Sequence, residues 1–362
     1  MFRGLLFVGF IPIIVGLSAC TSSPTETVFN GVIDDKRDDQ IRIHFLNSGA
    51  GSCQLIECAD SKSVLMFDCG SSSSVGAMSK VQVADYIRDI VKNKEVRFAV
   101  SHPDIDHYNY LPYVFDKKKV TNTSFQSLVL GLSRFDYNTN FQNWMNNNFG
   151  IHDIYDDYVI DPNYSTPKGK EREEPLSCPG INTRVLIANA ATINDPNAAS
   201  MVLLLEGDRM VQSIYLPGDA TNRTYRAMLG RGTFPEDVTV AAMAHHGAVT
   251  KDSNSSGLVN RIKPYIVVSQ TGTKYGHPIC SVVDTYKSYT KTTGGNIKEA
   301  QKHILQCDKV SGGTRTDSKS MSFAIYDTWS NGTVVIALEG DEEAVTCLTN
   351  DLAGLSTTCA LK

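Results

Sequence analysis

The chain has 362 residues, of which 41% are hydrophobic and 20% are charged. This composition is that of an ordinary globular protein, and it excludes an intrinsically disordered or collagen-like chain. The net charge of −5 gives the protein no general attraction for a polyanion, so tight and processive binding of nucleic acid would need a local basic patch.

The first 19 residues have the pattern of an export signal. Arg3 precedes an apolar segment that runs from Leu5 to about Gly16, and the segment ends in Leu-Ser-Ala-Cys20. This ending resembles a bacterial lipobox, which implies cleavage before Cys20 and a lipid anchor on that cysteine; a plain secretory signal is the alternative. Because Thr21 and not an aspartate follows, the resemblance implies the outer membrane or surface of the bacterial cell envelope. Residues 20–39 are then a polar tether.

Nine cysteines are present, and lipidation of Cys20 would leave eight. An even number of cysteines in an exported protein predicts disulfide bonds. Their connectivity does not follow from the sequence, although Cys347 with Cys359 is the simplest local closure. No CxxC pair occurs, which argues against zinc bound by cysteines.

From residue 40 onward, the hydrophobic pattern predicts one folded domain that extends to about residue 345. Ile41, Ile43 and Phe45 alternate with polar residues, as in a half-buried strand, and two further strands are predicted at 53–57 and 64–67. The short turns between them predict an antiparallel meander instead of a regular βαβ alternation. A helix is predicted from about Ser79 to Lys94, with Ser79 as its cap, followed by a buried strand at 96–100.

The segment that follows this strand, residues 101–108, is dense in possible metal ligands. Imidazole and carboxylate groups at this spacing can surround two divalent ions if the loop is compact, and Pro103 stiffens the loop. The alternative is a polar loop with a capping aspartate and solvated histidines. The density favours a metal site whose candidate ligands are His102, Asp104, Asp106 and His107.

Residues 113–180 contain few apolar runs. Clusters of lysine, of asparagine and of acidic residues alternate there, so the region is predicted to be a surface insertion and not a second core. In one interpretation its tyrosines, its asparagines and Trp144 line a substrate cleft. In the other they are a solvated decoration.

Regular patterns resume at residue 183. Strands are predicted at 183–188, 201–205, 213–216, 238–243, 265–269, 302–305, 321–326 and 334–338, with a hairpin turn at 206–208. Short helices are predicted at 223–229, 257–261 and 282–289. Residues 346–362 are predicted to be a C-terminal tail.

Polar residues recur where the predicted strands end. Asp219 follows the strand 213–216, the adjacent His245 and His246 follow the strand 238–243, and His277 lies a short loop beyond the strand 265–269. Asp68 ends the third strand and would, taken alone, be a structural turn residue. The convergence of these strand ends with residues 101–108 predicts a single site.

In this order, the motifs resemble those of the metallo-β-lactamase fold and, within it, the hydrolase domain of the ComEC competence family. The resemblance covers about residues 40–290 and implies a fold of the α/β (α+β) class, a single-domain αββα sandwich with the metal ions at one edge. It rests on Phe45-Leu-Asn-Ser-Gly-Ala-Gly51, Phe67-Asp-Cys-Gly70, Ser101-His-Pro-Asp-Ile-Asp-His107, Asn197-x-x-Ser200, Leu216-Pro-Gly-Asp219, His245-His-Gly247 and Tyr275-Gly-His-Pro278.

The resemblance implies a centre of two divalent ions, Zn²⁺ or Mn²⁺, because three carboxylates among the ligands make Mn²⁺ a competitor of Zn²⁺. One of His245 and His246 would complete the shell of the second ion; His246 is favoured, and His245 is left as a donor near the site. The chain departs from the family in having no histidine ligand between the cluster at 102–107 and Asp219, and in lacking the competence membrane channel. The implied metal ligands are His102, Asp104, Asp106, His107, Asp219, which bridges the ions, and His246.

Such a pair of ions would supply a hydroxide nucleophile near neutral pH. Asp106 is expected to orient this hydroxide, and His245 and His277 to stabilise charge on the substrate or to protonate the leaving group. The leading prediction is an exported, lipid-anchored, metal-dependent phosphodiesterase or nuclease, with nucleic acid among its candidate substrates and no protein partner inferred. The alternatives are a hydrolase of another ester, such as a phosphorylcholine ester or a lactone, and a non-catalytic binding lipoprotein.

Overall fold

The computed structural model describes residues 36–156, 175–207, 212–311, 314–348, 355–356 and 359–362. The predicted signal peptide, most of the predicted tether and the predicted turn at Asp208 lie outside these ranges. The last tether residues are described, and they pack on the domain, where the backbone N–H of Asp39 donates to the carbonyl of Ala59 (3.2 Å). Among the described residues, no helix has both the length and the apolar character needed to cross a membrane.

Two mixed β-sheets form the centre of the domain. The strands are β1 (Ile41–Phe45), β2 (Cys53–Glu57), β3 (Ser63–Cys69), β4 (Glu95–Val100), β5 (Ser124–Leu130), β6 (Ile154–Tyr155), β7 (Ile181–Ile187), β8 (Val202–Gly207), β9 (Ser213–Leu216), β10 (Val240–Ala242), β11 (Ile266–Ser269), β12 (Glu299–Ser311), β13 (Thr314–Phe323), β14 (Ile325–Asp327), β15 (Thr333–Glu339), β16 (Glu342–Leu348) and β17 (Leu355–Ser356). In the described residues, the larger sheet has the order β17-β16-β15-β1-β2-β3-β4-β5-β6 and the smaller sheet the order β14-β11-β10-β9-β8-β7, while β12 and β13 form a separate hairpin.

Helices cover the outer face of each sheet. They are α1 (Lys80–Val91), α2 (Leu111–Val114), α3 (Thr139–Asn148), α4 (Asn222–Arg231), α5 (Ser256–Ile262), α6 (Cys280–Lys287) and α7 (Thr328–Asn331). Apolar residues of α1, α2 and α3 pack on the larger sheet, and those of α4 and α5 pack on the smaller sheet. The layer order is therefore helix, sheet, sheet, helix, and the predicted αββα sandwich is confirmed.

The alternation of side chains along the strands builds three apolar layers. In β3, Leu65 and Phe67 face the core between the sheets, whereas Met66 faces α1. In β8, Leu203 lies in the same central core and Leu204 faces α4 and α5. Strands that are apolar on both faces are the expected pattern for sheets that are covered on both sides.

The first part of the domain follows the predicted pattern. β1, β2 and β3 form an antiparallel meander, and α1 begins with the expected cap, in which the side chain of Ser79 accepts from the backbone N–H of Gln82 (3.2 Å) and the side chain of Gln82 accepts from the backbone N–H of Ser79 (2.9 Å). From β3 to β6 the larger sheet is parallel.

The prediction of a surface insertion at 113–180 is wrong for its described part. β5 extends the larger sheet beside β4, and α3 packs Phe141 and Trp144 into the core, where the rings of Trp144 and Phe98 meet edge to face at 5.7 Å. Because Trp144 is buried and its Nε1 donates to the carbonyl of Phe115 (3.2 Å), it does not line a substrate cleft. The many asparagines of α3 made its apolar face difficult to recognise from the hydrophobic pattern of the sequence. Residues 157–174 lie outside the described ranges.

The C-terminal segment is also part of the domain and not a free tail. β16, which the sequence pattern missed, pairs with β15 along its full length. Further along, the hydroxyl of Tyr326 donates to the carbonyl of Cys359 (2.7 Å), and the backbone N–H of Gln301 donates to the carbonyl of Ala360 (2.8 Å). A disulfide between Cys347 and Cys359, the simplest local closure noted in the sequence, closes this segment.

The remaining six described cysteines are also paired, which confirms the prediction of disulfides. The first pair joins β2 to β3 within the meander, the second joins the end of β2 to a residue 120 positions further along the chain, and the third joins α6 to the hairpin of β12 and β13. These pairs are Cys53–Cys69, Cys58–Cys178 and Cys280–Cys307.

Candidate metal centre

Five strand ends meet at one edge of the sandwich. β3 and β4 are parallel neighbours, and so are β9, β10 and β11, so within each sheet the carboxyl ends of these strands lie at one edge. The segments that follow them carry the polar residues identified in the sequence. The structure brings the following residues together there: His102, Asp104, Asp106, His107, Asp219, His245 and His246.

The carboxylate of Asp219 lies at the centre of this group. Its Oδ1 is 3.3 Å from Nε2 of His107 and 3.5 Å from Nε2 of His246. Its Oδ2 is 3.5 Å from Nε2 of His245 and 3.9 Å from Nε2 of His102. One buried carboxylate therefore presents each of its oxygens to a different pair of imidazoles.

Two further carboxylates flank Asp219. Oδ2 of Asp104 lies 3.4 Å from Nε2 of His102, and the ligand atoms of Asp106, His107 and His246 lie within 4.8 Å of one another. The donors thus divide into two sets. Site 1 consists of His102, Asp104, His245 and Oδ2 of Asp219, and site 2 consists of Asp106, His107, His246 and Oδ1 of Asp219.

Several donor atoms of these sets are buried and have no hydrogen-bond partner among the residues that the structure describes. They include Nε2 of His102, His107 and His246 and Oδ1 of Asp219, whereas nearly all buried polar atoms in native proteins are paired. Two ligands of one tetrahedral zinc ion, each about 2.0–2.2 Å from the metal, lie roughly 3.3–3.6 Å apart. Most of the nitrogen–oxygen separations around Asp219 fall in or near this range, so the residues present fit two divalent cations.

Asp68 orients the imidazole of His107. Its Oδ2 accepts from Nδ1 of His107 (2.7 Å) and from the hydroxyl of Ser101 (2.8 Å), and its Oδ1 accepts from the backbone N–H of Ser101 (2.7 Å). With the proton held on Nδ1, Nε2 of His107 is available to a cation, which is the usual role of a carboxylate behind a ligating histidine. The sequence alone assigned Asp68 to a turn, and its φ of 53° agrees with a strand end. Its contact with His107 is decided by the tertiary structure.

The imidazoles of His246 and His102 are oriented in a similar way. Nδ1 of His246 donates to the backbone carbonyl of Gln270 (2.9 Å). Because a carbonyl can only accept, Nδ1 carries a proton, and the other ring nitrogen, Nε2, faces Asp219. Nδ1 of His102 lies 3.0 Å from the hydroxyl of Ser101 and 3.3 Å from that of Ser200. Gln270 and Ser200 are positioning residues; Ser200 belongs to the motif Asn197-x-x-Ser200, to which the sequence alone assigned no role, and no motif included Gln270.

A left-handed backbone turns both adjacent histidines towards the same carboxylate. His245 and His246 have φ of 48° and 55°, and Gly247 follows with φ of 83°. Adjacent side chains of an extended strand point to opposite faces, so only such a turn lets both rings reach Asp219. Left-handed non-glycine residues cost about 1–3 kcal/mol each and persist mainly at functional sites. The sequence left open which histidine is a ligand; in the structure, each faces a different oxygen of Asp219.

The charges of the centre favour cation binding. Burial would raise the pKa of Asp219, but attraction to His107, His245 and His246 holds it well below its usual range. Burial would lower the pKa of His107, but attraction to Asp219 and Asp68 raises it well above its usual range. The carboxylate is therefore ionised at neutral pH, and a cation at site 2 competes with a proton for Nε2 of His107.

His277 lies beside the centre but outside both sites. Its ring centroid is 5.9 Å from that of His245 and 6.1 Å from that of Tyr275, on which it stacks. Its Nδ1 is buried without a hydrogen-bond partner. Burial, followed by repulsion from His246 and His245, lowers the pKa of His277 to about 3, so this imidazole is neutral at pH 7.

Asn197 and Ser200 lie in the stretch of the chain between the cluster at 102–107 and Asp219, in which the resemblance implies a further histidine. Nδ2 of Asn197 lies 3.4 Å from Nε2 of His245, and the hydroxyl of Ser200 accepts from the backbone N–H of Asp219 (3.2 Å).

Comparison with solved structures finds weak similarities, among them the following two. A metallo-β-lactamase fold protein, YhfI from Bacillus subtilis, aligns with a TM-score of 0.40 and 9% identity over 69% of this chain and 92% of its own. A single-residue variant of CmlA β-hydroxylase aligns with a TM-score of 0.41 and 11% identity over 72% of this chain and 51% of its own. Because both TM-scores are below 0.5, neither alignment bears on the activity of this chain. No protein-family model and no curated protein sequence matches the chain.

Proposed function

We propose that this protein is a hydrolase that depends on two divalent cations, one at site 1 and one at site 2. The observation that carries the proposal is the buried carboxylate of Asp219, whose two oxygens lie 3.3–3.9 Å from the Nε2 atoms of four histidines. Three of these nitrogens, those of His102, His107 and His246, have no hydrogen-bond partner in the described part of the chain. Four imidazoles directed at one buried carboxylate are not needed by an apolar core or by a surface ion pair. Buried polar groups without a partner cost free energy, so a purely structural role does not account for this arrangement. A pair of bound cations satisfies all of them.

Two cations at these sites would supply a hydroxide nucleophile near neutral pH and a Lewis acid for the ester. The residues of the chain would do the rest. Asp106, in site 2, would orient the attacking oxygen, and Asp68 would keep the proton of His107 on Nδ1. His277, held neutral by burial, would donate a hydrogen bond to a substrate oxygen as charge develops on it, and would not act as a strong acid.

We propose phosphodiesters as the substrate class, with nucleic acid among them. The support is the order of the sequence motifs, which resemble those of the ComEC hydrolase domain, together with the three carboxylates of the two sites. Carboxylate-rich sets suit hard cations such as Mn²⁺ as well as Zn²⁺. A carboxyl ester or a lactone is the competing substrate class.

A substrate panel tests this proposal. Protein loaded with Zn²⁺ or with Mn²⁺ is assayed on bis-p-nitrophenyl phosphate, single-stranded DNA, a lactone and a p-nitrophenyl carboxyl ester, with metal-free protein as the reference. We expect metal-dependent turnover of the phosphodiester and loss of that turnover in Asp219→Ala. If only the lactone or the carboxyl ester were hydrolysed, that ester and not the phosphodiester would be the substrate class. If no substrate were hydrolysed with either metal, the proposal that the protein is a hydrolase would be wrong.

The assignment of His245 to site 1 and His246 to site 2 has its own test. Each histidine faces one oxygen of Asp219 at 3.5 Å, so His245→Ala and His246→Ala should each leave about one ion per chain where the wild type holds two. His303→Ala is a control, because this buried histidine bonds backbone carbonyls away from the centre. If His245→Ala kept both ions, His245 would be a substrate-side donor and not a ligand.

We further propose that the protein is exported and anchored by lipid at Cys20. The support is the resemblance of its leader to a lipobox, together with the four disulfides of the described residues, which are typical of oxidising compartments. Cys20→Ser should move the protein from the membrane fraction to the soluble fraction. If the wild type incorporated no labelled palmitate, the anchor would be ruled out.

A further inference from the structure

The hairpin β12–β13 lies beyond the part of the chain that resembles a known family, yet it reaches the candidate site. It is a two-stranded unit separate from both sheets, and it contacts residues 272–280, the segment that carries His277. We propose that Arg315 and Asp308 of this hairpin are positioning residues that hold residues 272–280 in place for the reaction. The role in a reaction rests on the proposed function, but the hold on the segment does not.

Arg315 ties the two ends of the loop together. Arg315 is a buried residue, 8% exposed, and its guanidinium donates to the carbonyl of Gly272 (2.7 Å) and to the carbonyl of His277. The same guanidinium donates to the carbonyl of Gln306 (2.9 Å) within the hairpin. Because the guanidinium is planar and rigid, it fixes the separation of the two loop carbonyls relative to the hairpin.

Asp308 holds the residues that follow His277. The pairing of β12 with β13 shifts register between Cys307 and Val310, and Asp308 has φ of 59° in this bulge. Its backbone N–H donates to the carbonyl of Pro278 (3.0 Å), and its Oδ1 accepts from the backbone N–H of Cys280 (2.8 Å). Bulges of this kind redirect a side chain and interrupt strand pairing, and here both backbone and side chain of one residue are turned towards the loop.

A disulfide adds a third connection at the same place. Cys307, next to Asp308, is bonded to Cys280 with their Cα atoms 5.0 Å apart. Residues 272–280 are therefore held at Gly272, at His277 and at 278–280, all by one hairpin. Gly272 is itself packed on the loop at 49–50, where an added Cβ would lie 2.3 Å from the backbone nitrogen of Ala50.

These contacts matter because no side-chain hydrogen bond of His277 is found in the described part of the chain. Its Nδ1 is buried without a partner there, and its ring makes a stacking contact with Tyr275 and an edge contact with His245. The position of the imidazole must then come from its backbone, whose carbonyl Arg315 holds. Misplacement of a reacting group by about 1 Å can cost roughly 10²-fold in rate.

The central experiment replaces Arg315 with methionine, which keeps the length of the side chain and removes its donors. We expect amide hydrogen exchange in residues 272–280, measured by mass spectrometry, to rise at least about tenfold, while elemental analysis still finds the metal content of the wild type. On a phosphodiester substrate, kcat should fall by roughly 10–10²-fold. Arg184→Met, at an exposed arginine that pairs with Glu206, is the matched control and should change none of these.

A double-mutant cycle separates positioning from general damage. In the His277→Ala background, Arg315→Met should lower kcat by less than about threefold, because the group that Arg315 positions is already gone. An additive loss in the double variant would overturn the proposal, and so would unchanged hydrogen exchange at 272–280 or a loss of metal in Arg315→Met. If Arg315→Met does not fold, Arg315→Lys provides the same comparisons, and its loss of kcat should be smaller. Addition of millimolar guanidinium should not restore the kcat of Arg315→Lys.

The exchange measurement keeps this proposal distinct from the proposed function. If the wild type hydrolysed none of the panel substrates but Arg315→Met released residues 272–280, the hold of the hairpin would stand and only its role in hydrolysis would fall. If hydrolysis occurred and the exchange of residues 272–280 did not change, the hairpin would be excluded as the positioning element.

Discussion

Replacement of Asp219 is the most informative change at the candidate centre, because one carboxylate serves both sites. Its two oxygens lie 3.3–3.9 Å from four imidazole nitrogens, so Asp219→Asn removes charge from both sites with little change of shape. Loss of a group behind a metal ligand typically costs 10–100-fold in affinity, and loss of a ligand itself should exceed the upper value. We therefore expect each ion to bind more than about 100-fold more weakly, or more than about 2.7 kcal/mol.

The assay is elemental analysis after dialysis, together with competition against a chromophoric chelator and kinetics on the phosphodiester. Wild type should retain two ions, and Asp219→Asn and Asp219→Ala should retain less than one and lose nearly all turnover. Asp284→Asn is the control, since this exposed carboxylate pairs with Lys319 on the surface. If Asp219→Ala kept two ions and full activity, the assignment of both sites around this carboxylate would be wrong.

Four further predictions follow from single contacts. His277→Ala should keep the metal content of the wild type while kcat falls by roughly 10²–10³-fold, the usual cost of removing one hydrogen-bond donor to a developing charge; loss of metal would instead make it a ligand. Asp68→Asn should weaken the ion at site 2 by about 10–100-fold through His107, seen by chelator competition. Thiol titration of denatured, unreduced protein should find few free thiols, and five or more would contradict the pairing. Burial would raise the pKa of Glu57, but the hydrogen bond with His44 and the attraction of Lys94 lower it from 4.5 to about 2. The ionised carboxylate therefore stabilises the folded protein above pH 4.5, and this contribution is lost as the pH falls towards 2. Glu57→Gln should lower the free energy of unfolding by about 3 kcal/mol at pH 7, a difference that urea unfolding should find shrinking in acid.

The strands of the two sheets could be read from the sequence where their hydrophobic period was clear. β1 to β4 and β9 to β11 appear close to their predicted positions, because alternating or continuous apolar runs bounded by turn residues have few other solutions. The fold class followed from the order of the motifs. The pattern failed at 113–156, where asparagine-rich α3 buries Phe141 and Trp144, and at the C-terminus, where β16 is held by a neighbouring strand more than by its own composition.

The residues of the candidate centre could also be named from the sequence, since imidazole and carboxylate groups at strand ends are local features. The sequence could not show which atoms these side chains would contact. Asp68 looks like a turn residue until β3 and β4 lie side by side and its carboxylate meets Nδ1 of His107. Gln270 and Ser200 contribute through one carbonyl and one hydroxyl, and no periodicity marks such atoms.

By itself, the sequence determined which segments bear candidate ligands and that these segments follow strands, because residue type and hydrophobic period are properties of short stretches. Only the tertiary structure decided how those ligands divide around Asp219, because the division depends on the left-handed turn at His245 and His246 and on the packing of two sheets whose strands are far apart in the chain. It also decided that a hairpin near the end of the domain reaches back to the loop of His277. Contacts between residues 315 and 272 are not encoded in any local pattern, and they exist only once the whole sandwich has formed.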